Sequence, residues 1–166
     1  MSNQQFIEFS KPFIQAAKVV FETMIFTKIE PGKPSIKKDA TSRGDVSAVL
    51  GVTGKYEKDG KQDEVRAMLV LSWPYDTYVK IANAMLMESF TEYNDAICDV
   101  GAEISNMILG NAKRDLRGLG YILDMSIPST IGGPNHTINY PPGTTVVLIP
   151  IISAHGEFFM ELCTKG

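Results

Sequence analysis

The chain is poor in the residues that bind metals or form covalent intermediates. It has two histidines, two cysteines and one tryptophan, and none of His136, His155, Cys98 and Cys163 stands at zinc-ligand spacing. It has no glycine-rich phosphate loop, nucleophile elbow or dinucleotide fingerprint, which removes the enzyme classes that such motifs define. Ser153 and His155 stand two apart with nothing to orient them, so they do not read as a catalytic pair. Asp95, Asp99 and Glu103 fall at four-residue steps and read as solvated acids, so no metal or cofactor is expected on this chain. Long apolar runs are missing too: no stretch approaches the roughly 18 residues of a spanning helix, and no membrane insertion is expected. Charge of either sign is not in excess. With 16 basic and 19 acidic side chains the net charge is -3, which gives no electrostatic case for nucleic acid or an anionic membrane as partner.

What is present is a globular composition, 44% hydrophobic and 21% charged, in a length suited to one domain over residues 1–166. The opening MSNQQFIEFSKPF has neither a basic n-region nor an apolar run of signal length. A reducing, cytoplasmic compartment is therefore expected, with Cys98, read as lying inside a helix, and Cys163 remaining thiols.

Residues 5–26 carry Phe6, Phe9, Phe13, Ala16, Ala17, Val20 and Met24 at helical spacing, and Pro12 suggests that the regular helix starts near Lys11 behind a separate arm. The segment 28–44, with Pro31, Gly32 and Pro34, reads as a loop with an edge strand at 35–38, and Lys33, Lys37 and Lys38 read as a solvated edge. Alternating apolar residues over 45–56 and 65–72, with Asp59-Gly60 between them, predict a hairpin. Pro74 ends it, and Asp76 reads as the N-cap of a helix carrying Val79, Ile81, Ala82, Met85 and Leu86. The period returns to two over 121–127. Residues 129–143, rich in glycine and proline, read as irregular, and 144–149 with 157–162 form a last hairpin in which Pro150 demands an edge or a bulge. No internal repeat is visible. The pattern predicts an α+β fold, a mostly antiparallel sheet with its helices packed on one side.

Thr91 to Leu119 reads as one long helix, the element around which the rest is arranged. Ile97, Val100, Ile104 and Ile108 form a flank suited to packing on a sheet, and Asp99, Glu103, Asn106 and Gly110 fall on another. An amide and a carboxylate suffice for one reaction class. Where a labile acyl phosphate and its metal belong to a partner, hydrolysis lacks only a water held in line with phosphorus. An amide can accept a hydrogen from that water and donate to the phosphoryl group.

Glu103-Ile104-Ser105-Asn106 followed by Gly110 resembles the E-x-x-N-x-x-x-G helix of the CheC/CheX/FliY family of chemotaxis phosphatases. The setting is similar as well: Lys11-Pro12-Phe13, Gly32-Lys33-Pro34-Ser35, Gly44-Asp45-Val46-Ser47, Ile127-Pro128-Ser129-Thr130, Ile149-Pro150-Ile151 and His155-Gly156-Glu157-Phe158-Phe159 look like the one-site CheX branch, in order along nearly the whole chain. The resemblance implies a CheX-like single domain that acts on the phosphoaspartate of a CheY-like response regulator, with magnesium held by that regulator. It implies that Asn106 positions water, that Glu103 contacts the partner, and that the chain forms a homodimer. The two-site CheC branch carries a second E-x-x-N on the first helix. Here Glu22 is followed three residues later by Ile25, so a second amide site is not expected. The rival reading is a non-enzymatic scaffold, related to the flagellar switch, that uses the helix face without the amide.

Overall fold

In the computed structural model, which describes residues 1–165, the elements run α1 (Asn3–Met24), β1 (Ile29–Pro31), β2 (Ser35–Lys37), β3 (Val46–Lys58), β4 (Lys61–Trp73), α2 (Tyr75–Leu86), α3 (Val100–Gly118), β5 (Tyr121–Met125), β6 (Ser129–Gly132), β7 (Thr144–Ser153) and β8 (Gly156–Lys165). Among the described residues the strands form one 8-stranded antiparallel sheet, ordered β1-β7-β8-β4-β3-β5, with β2 also on β7 and β6 also on β3. This is the expected α+β architecture with the helices on one side.

Alternation along the strands sets the two faces. Val46, Ala48, Leu50 and Val52 of β3, Leu69 and Leu71 of β4, Phe158, Met160 and Leu162 of β8, and Ile149 and Ile151 of β7 point to the helical side and join one core with Phe9, Phe13, Ile104 and Ile108. The reverse face holds Ser47, Ser72 and Glu161, all fully buried. They are covered by two straps, near residues 40–42 and 136–140, tied by Ser42 N–H to the His136 carbonyl at 2.8 Å and Ile138 N–H to the Ala40 carbonyl at 2.8 Å. His136 Nε2 lies 2.7 Å from Ser47 Oγ, and Ser47 Oγ 2.6 Å from Ser72 Oγ, so the polar residues of that face satisfy one another.

The chain order repeats. A helix, two short strands and a long hairpin (α1, β1, β2, β3, β4) are followed, after α2, by the same series (α3, β5, β6, β7, β8). In the sheet the halves interlock: β1 and β2 pair with β7, β5 and β6 pair with β3, and β4 meets β8 between them. The amino-acid pattern shows no such repeat, because the shared feature is topology and side-chain burial more than identity.

Several expectations are corrected. The first helix begins at Asn3, not near Lys11: Ser2 and Gln5 form a capping box, with Gln5 N–H to Ser2 Oγ at 3.1 Å and Ser2 N–H to Gln5 Oε1 at 2.9 Å. Pro12 therefore stands inside α1, where it is buried with Phe9 and Phe13. Asp76 lies in the first turn of α2 and does not cap it; the Tyr75 N–H is met by Asp45 Oδ2 at 2.9 Å. The irregular stretch 129–143 contains β6, and the loop 28–44 contains β1 as well as the expected edge strand β2. Pro150 lies within β7 opposite the gap between β1 and β2, where Gly32 N–H reaches its carbonyl at 2.6 Å. A residue in an antiparallel strand directs its N–H and C=O to the same side, so the donor that proline lacks faces that gap.

Candidate active site

The long helix is shorter than its apolar pattern suggests. Residues 91–94 are irregular, 95–99 form turns and α3 starts at Val100, so Cys98 lies ahead of the helix and Asp99 at its N-cap. Two features stop the helix from extending backwards. Asn94 Oδ1 accepts the Ala96 N–H at 2.8 Å, and the three-residue bonds Ile97 N–H to Asn94 O and Val100 N–H to Ile97 O, each 3.2 Å, replace the helical ladder. Ile97 is nonetheless fully buried.

Asp99 makes no side-chain cap bond. Its place is taken by Tyr78 of α2, whose hydroxyl donates to the Ile97 carbonyl at 2.6 Å and accepts the Gly101 N–H at 2.9 Å. Burial pushes the Tyr78 pKa up, so the phenol stays protonated as this bridge requires. Gly101 has to be glycine: a Cβ there would meet Trp73 Cζ3 at 2.8 Å. Asn83 clamps the preceding loop, donating to the Phe90 carbonyl at 2.9 Å and accepting its N–H at 2.8 Å.

Held this way, α3 divides cleanly. Val100, Ile104, Ile108, Leu109, Ala112 and Leu116 are buried, and Ser105 is buried with Oγ turned back to the Gly101 carbonyl at 3.0 Å. Glu103, Asn106 and Gly110 are exposed together. Among the described residues neither Glu103 nor Asn106 hydrogen-bonds another side chain, so both present their full bonding capacity outward. Glu103 lies in the first turn, where the helix dipole favours a carboxylate. Gly110 has nothing within 4 Å of where its Cβ would be. Nothing inside the chain explains a glycine in the middle of a helix, which costs about 1 kcal/mol relative to alanine.

The other flagged residues are structural. Ser153 Oγ donates to the Gly156 carbonyl at 2.7 Å, and His155 Nε2 lies 2.9 Å from Thr27 Oγ1, which ties the β7–β8 turn to the end of α1. Lys37 is not a solvated edge residue: its Nζ is 3.0 Å from Glu161 Oε2 with both side chains fully buried, and it donates to the Tyr140 hydroxyl at 2.6 Å. Tyr140 in turn donates to Glu161. Cys98 and Cys163 are both free thiols. Glu22 is exposed, but Ile25 is a fully buried residue at the C-cap of α1. Among the described residues no helix is long and apolar enough to cross a membrane, and no group of three or more His, Cys, Asp or Glu side chains is placed to hold a metal ion. Tyr78 and Asn83 were not singled out by the sequence, because their roles depend on a loop that folds back over α2.

An antiparallel sheet with its helices packed on one side is the fold of the CheC/CheX/FliY superfamily. The family model for the chemotaxis phosphatase CheX matches residues 46–152, and this chain belongs to that family. A CheC-like protein of Shewanella sp. PV-4 is 31% identical, with 96% of this chain and 99% of that chain covered and a TM-score of 0.84. The chemotaxis protein CheX of Vibrio vulnificus is 32% identical over 95% of this chain and 99% of its own, with a TM-score of 0.82. A Borrelia burgdorferi CheX solved in complex with CheY, BeF3 and magnesium shares the fold at 23% identity, over 95% of this chain and 98% of its own, with a TM-score of 0.76. No curated protein sequence matches the chain at significance.

Proposed function

We propose that this protein hydrolyses the aspartyl phosphate of a CheY-like response regulator, with Asn106 and Glu103 as its working side chains. The observation that carries the reading is the isolation of these two groups, exposed one turn apart and unpaired, on a chemotaxis-phosphatase helix. The Borrelia relative, captured with CheY and a phosphoryl mimic, supports the choice of partner.

The reaction needs no nucleophile from this chain. Water attacks phosphorus, the acyl oxygen–phosphorus bond breaks, and the products are the regulator's free aspartate and inorganic phosphate. Magnesium is the regulator's own ion and shields charge on its phosphoryl oxygens. The Asn106 carbonyl oxygen accepts a hydrogen from the water and the amide N–H donates toward the phosphoryl group, which lowers the barrier by placement; an amide titrates too far from neutrality to serve as a base. Glu103 offers a carboxylate to a lysine of the regulator and sets the register of docking.

The test is the decay rate of a magnesium-loaded phospho-receiver, read with its affinity in the beryllofluoride form. Asn106→Ala abolishes acceleration and leaves affinity within a few-fold. Glu103→Ala weakens both. Wild-type protein that binds the receiver without speeding its decay would favour a scaffold, and an unchanged rate with Asn106→Ala would remove the mechanism.

A further inference from the structure

The stripe that carries Glu103 and Asn106 runs the whole length of α3. It starts at Asp99 and continues through Glu103, Asn106 and Gly110 to Lys113 and Arg117, at alternating steps of four and three residues, which keeps all of them on one face of the helix. Asp99 and Arg117 are exposed, as Glu103, Asn106 and Gly110 are, and Lys113 is half-buried.

Charge along this stripe is sorted. The acids stand before Asn106 and the cations after it. Asp115, the acid of the C-terminal half, is off the stripe and lines a cleft with Gln15 of α1. A helix face that served only solvation would gain from acid and base four residues apart, where they attract. Here the residues four apart are Asp99 with Glu103 and Lys113 with Arg117, like with like, and each pair repels. The helix dipole favours an acid in the first turn and a cation in the last, which accounts for Glu103 and Arg117. It does not account for Lys113, which stands ahead of the last turn. Among the described residues neither Lys113 nor Arg117 is ion-paired, so both cations face outward without an internal partner.

We infer that Lys113 and Arg117 determine which receivers this protein accepts: they pair with acidic side chains of the receiver beyond its phosphoaspartate and fix which way round it lies across α3. The inference rests on the proposed roles of Glu103 and Asn106. At 1.5 Å per residue Lys113 stands about 10 Å and Arg117 about 16 Å along the helix from Asn106, on the side away from Glu103. A receiver that holds magnesium at its phosphate does so with carboxylates, so its surface there is anionic apart from the lysine that Glu103 meets. With Glu103 over that lysine and Asn106 over phosphorus, the basic half of α3 lies over the acidic side. Asn106 is near the middle of the stripe, and an amide by itself does not tell the two ends of a receiver apart. A receiver turned end for end sets acid against acid and cation against cation, and the sorted charges reject it.

The experiment uses the full chain and follows turnover of a magnesium-loaded phospho-receiver over a range of receiver concentrations and of sodium chloride. Lys113→Glu/Arg117→Glu is expected to raise KM about tenfold or more and to leave kcat within about twofold, because the change is in docking and not in the placement of water. Lys113→Gln/Arg117→Gln relieves the like-charge contact and so keeps the helix folded; it is expected to raise KM about threefold and to make KM less sensitive to salt than in wild type. Lys113→Arg/Arg117→Lys keeps both charges and is expected to keep the wild-type KM. Lys28→Glu, on an exposed residue just before the edge strand β1, makes the same change of net charge as Arg117→Glu and is expected to leave KM unchanged. Wild-type KM in both the Glu and the Gln double variants overturns the inference and leaves Glu103 and Asn106 standing. A fall in kcat at constant KM would make the two cations structural supports of α3, and an equal rise of KM with Lys28→Glu and with Arg117→Glu would reduce their effect to net charge; either result overturns it. Wild-type protein that does not speed decay at all overturns both readings.

Discussion

The Tyr78 hydroxyl stands 2.9 Å from the Gly101 amide nitrogen and closes the first turn of α3 from a neighbouring helix. The same hydroxyl donates to the Ile97 carbonyl at 2.6 Å. One oxygen thus joins the loop that ends before the helix to the helix that carries Glu103 and Asn106.

Tyr78→Phe keeps the ring against Trp73, whose centroid is 5.4 Å away, and removes only the bridge. We expect a stability loss of about 1–3 kcal/mol, since two buried backbone groups lose a partner. The more specific effect is on turnover: decay of the phospho-regulator slows roughly tenfold with its affinity almost unchanged, because a small shift of α3 displaces Asn106 more than it alters contact area. A variant whose folded fraction turns over at the wild-type rate would make Tyr78 merely structural.

Gly110→Ala separates stability from docking. With open space around the position, alanine should raise stability by about 0.5–1 kcal/mol in chemical denaturation. If the glycine is kept so that the regulator's backbone can come close, the same variant slows phospho-regulator decay. Unchanged kinetics would show that the partner does not press on this turn.

Ile104 is fully buried in the core, so Ile104→Ala should cost about 2–4 kcal/mol in a urea titration. Glu103→Gln and Asn106→Asp, exposed on the other flank, should move the midpoint little.

Lys37→Met leaves the buried Glu161 carboxylate without its cation and is expected to cost about 3–5 kcal/mol. Adding Glu161→Gln removes the stranded charge and retains an acceptor for Tyr140. The double variant should therefore be more stable than Lys37→Met alone, a sign reversal that a double-mutant cycle reads directly.

The sheet ends in short edge strands, and Ile36 on β2 and Ile7 on α1 are both about half exposed at one cleft. We expect a homodimer by two-fold pairing, and light scattering at micromolar concentration should return about twice 18.2 kDa. A monomer throughout that range would refute it.

Local pattern alone determined a good deal of this protein. Period-two alternation marked β3 and β4, and Asp59-Gly60 marked their turn, where both residues take positive φ, 54° and 78°, as a tight hairpin requires. Period 3.6 placed Ile104 and Ile108 inward and Glu103 and Asn106 outward, because on a helix that packs against a sheet burial follows angle around the axis. Tertiary structure decided what periodicity cannot encode. The start of α3 depends on an oxygen 23 residues away in sequence. The fate of Lys37 depends on a glutamate 124 residues away, and only that pairing lets a lysine from an edge strand lie buried. The repeat of the two halves was hidden for a related reason: α1 and α3 bury the same steps, Phe13 and Ile108, Ala17 and Ala112, Phe21 and Leu116, and share few of the residues themselves, so the repeat becomes visible only when the chain has folded and burial can be compared.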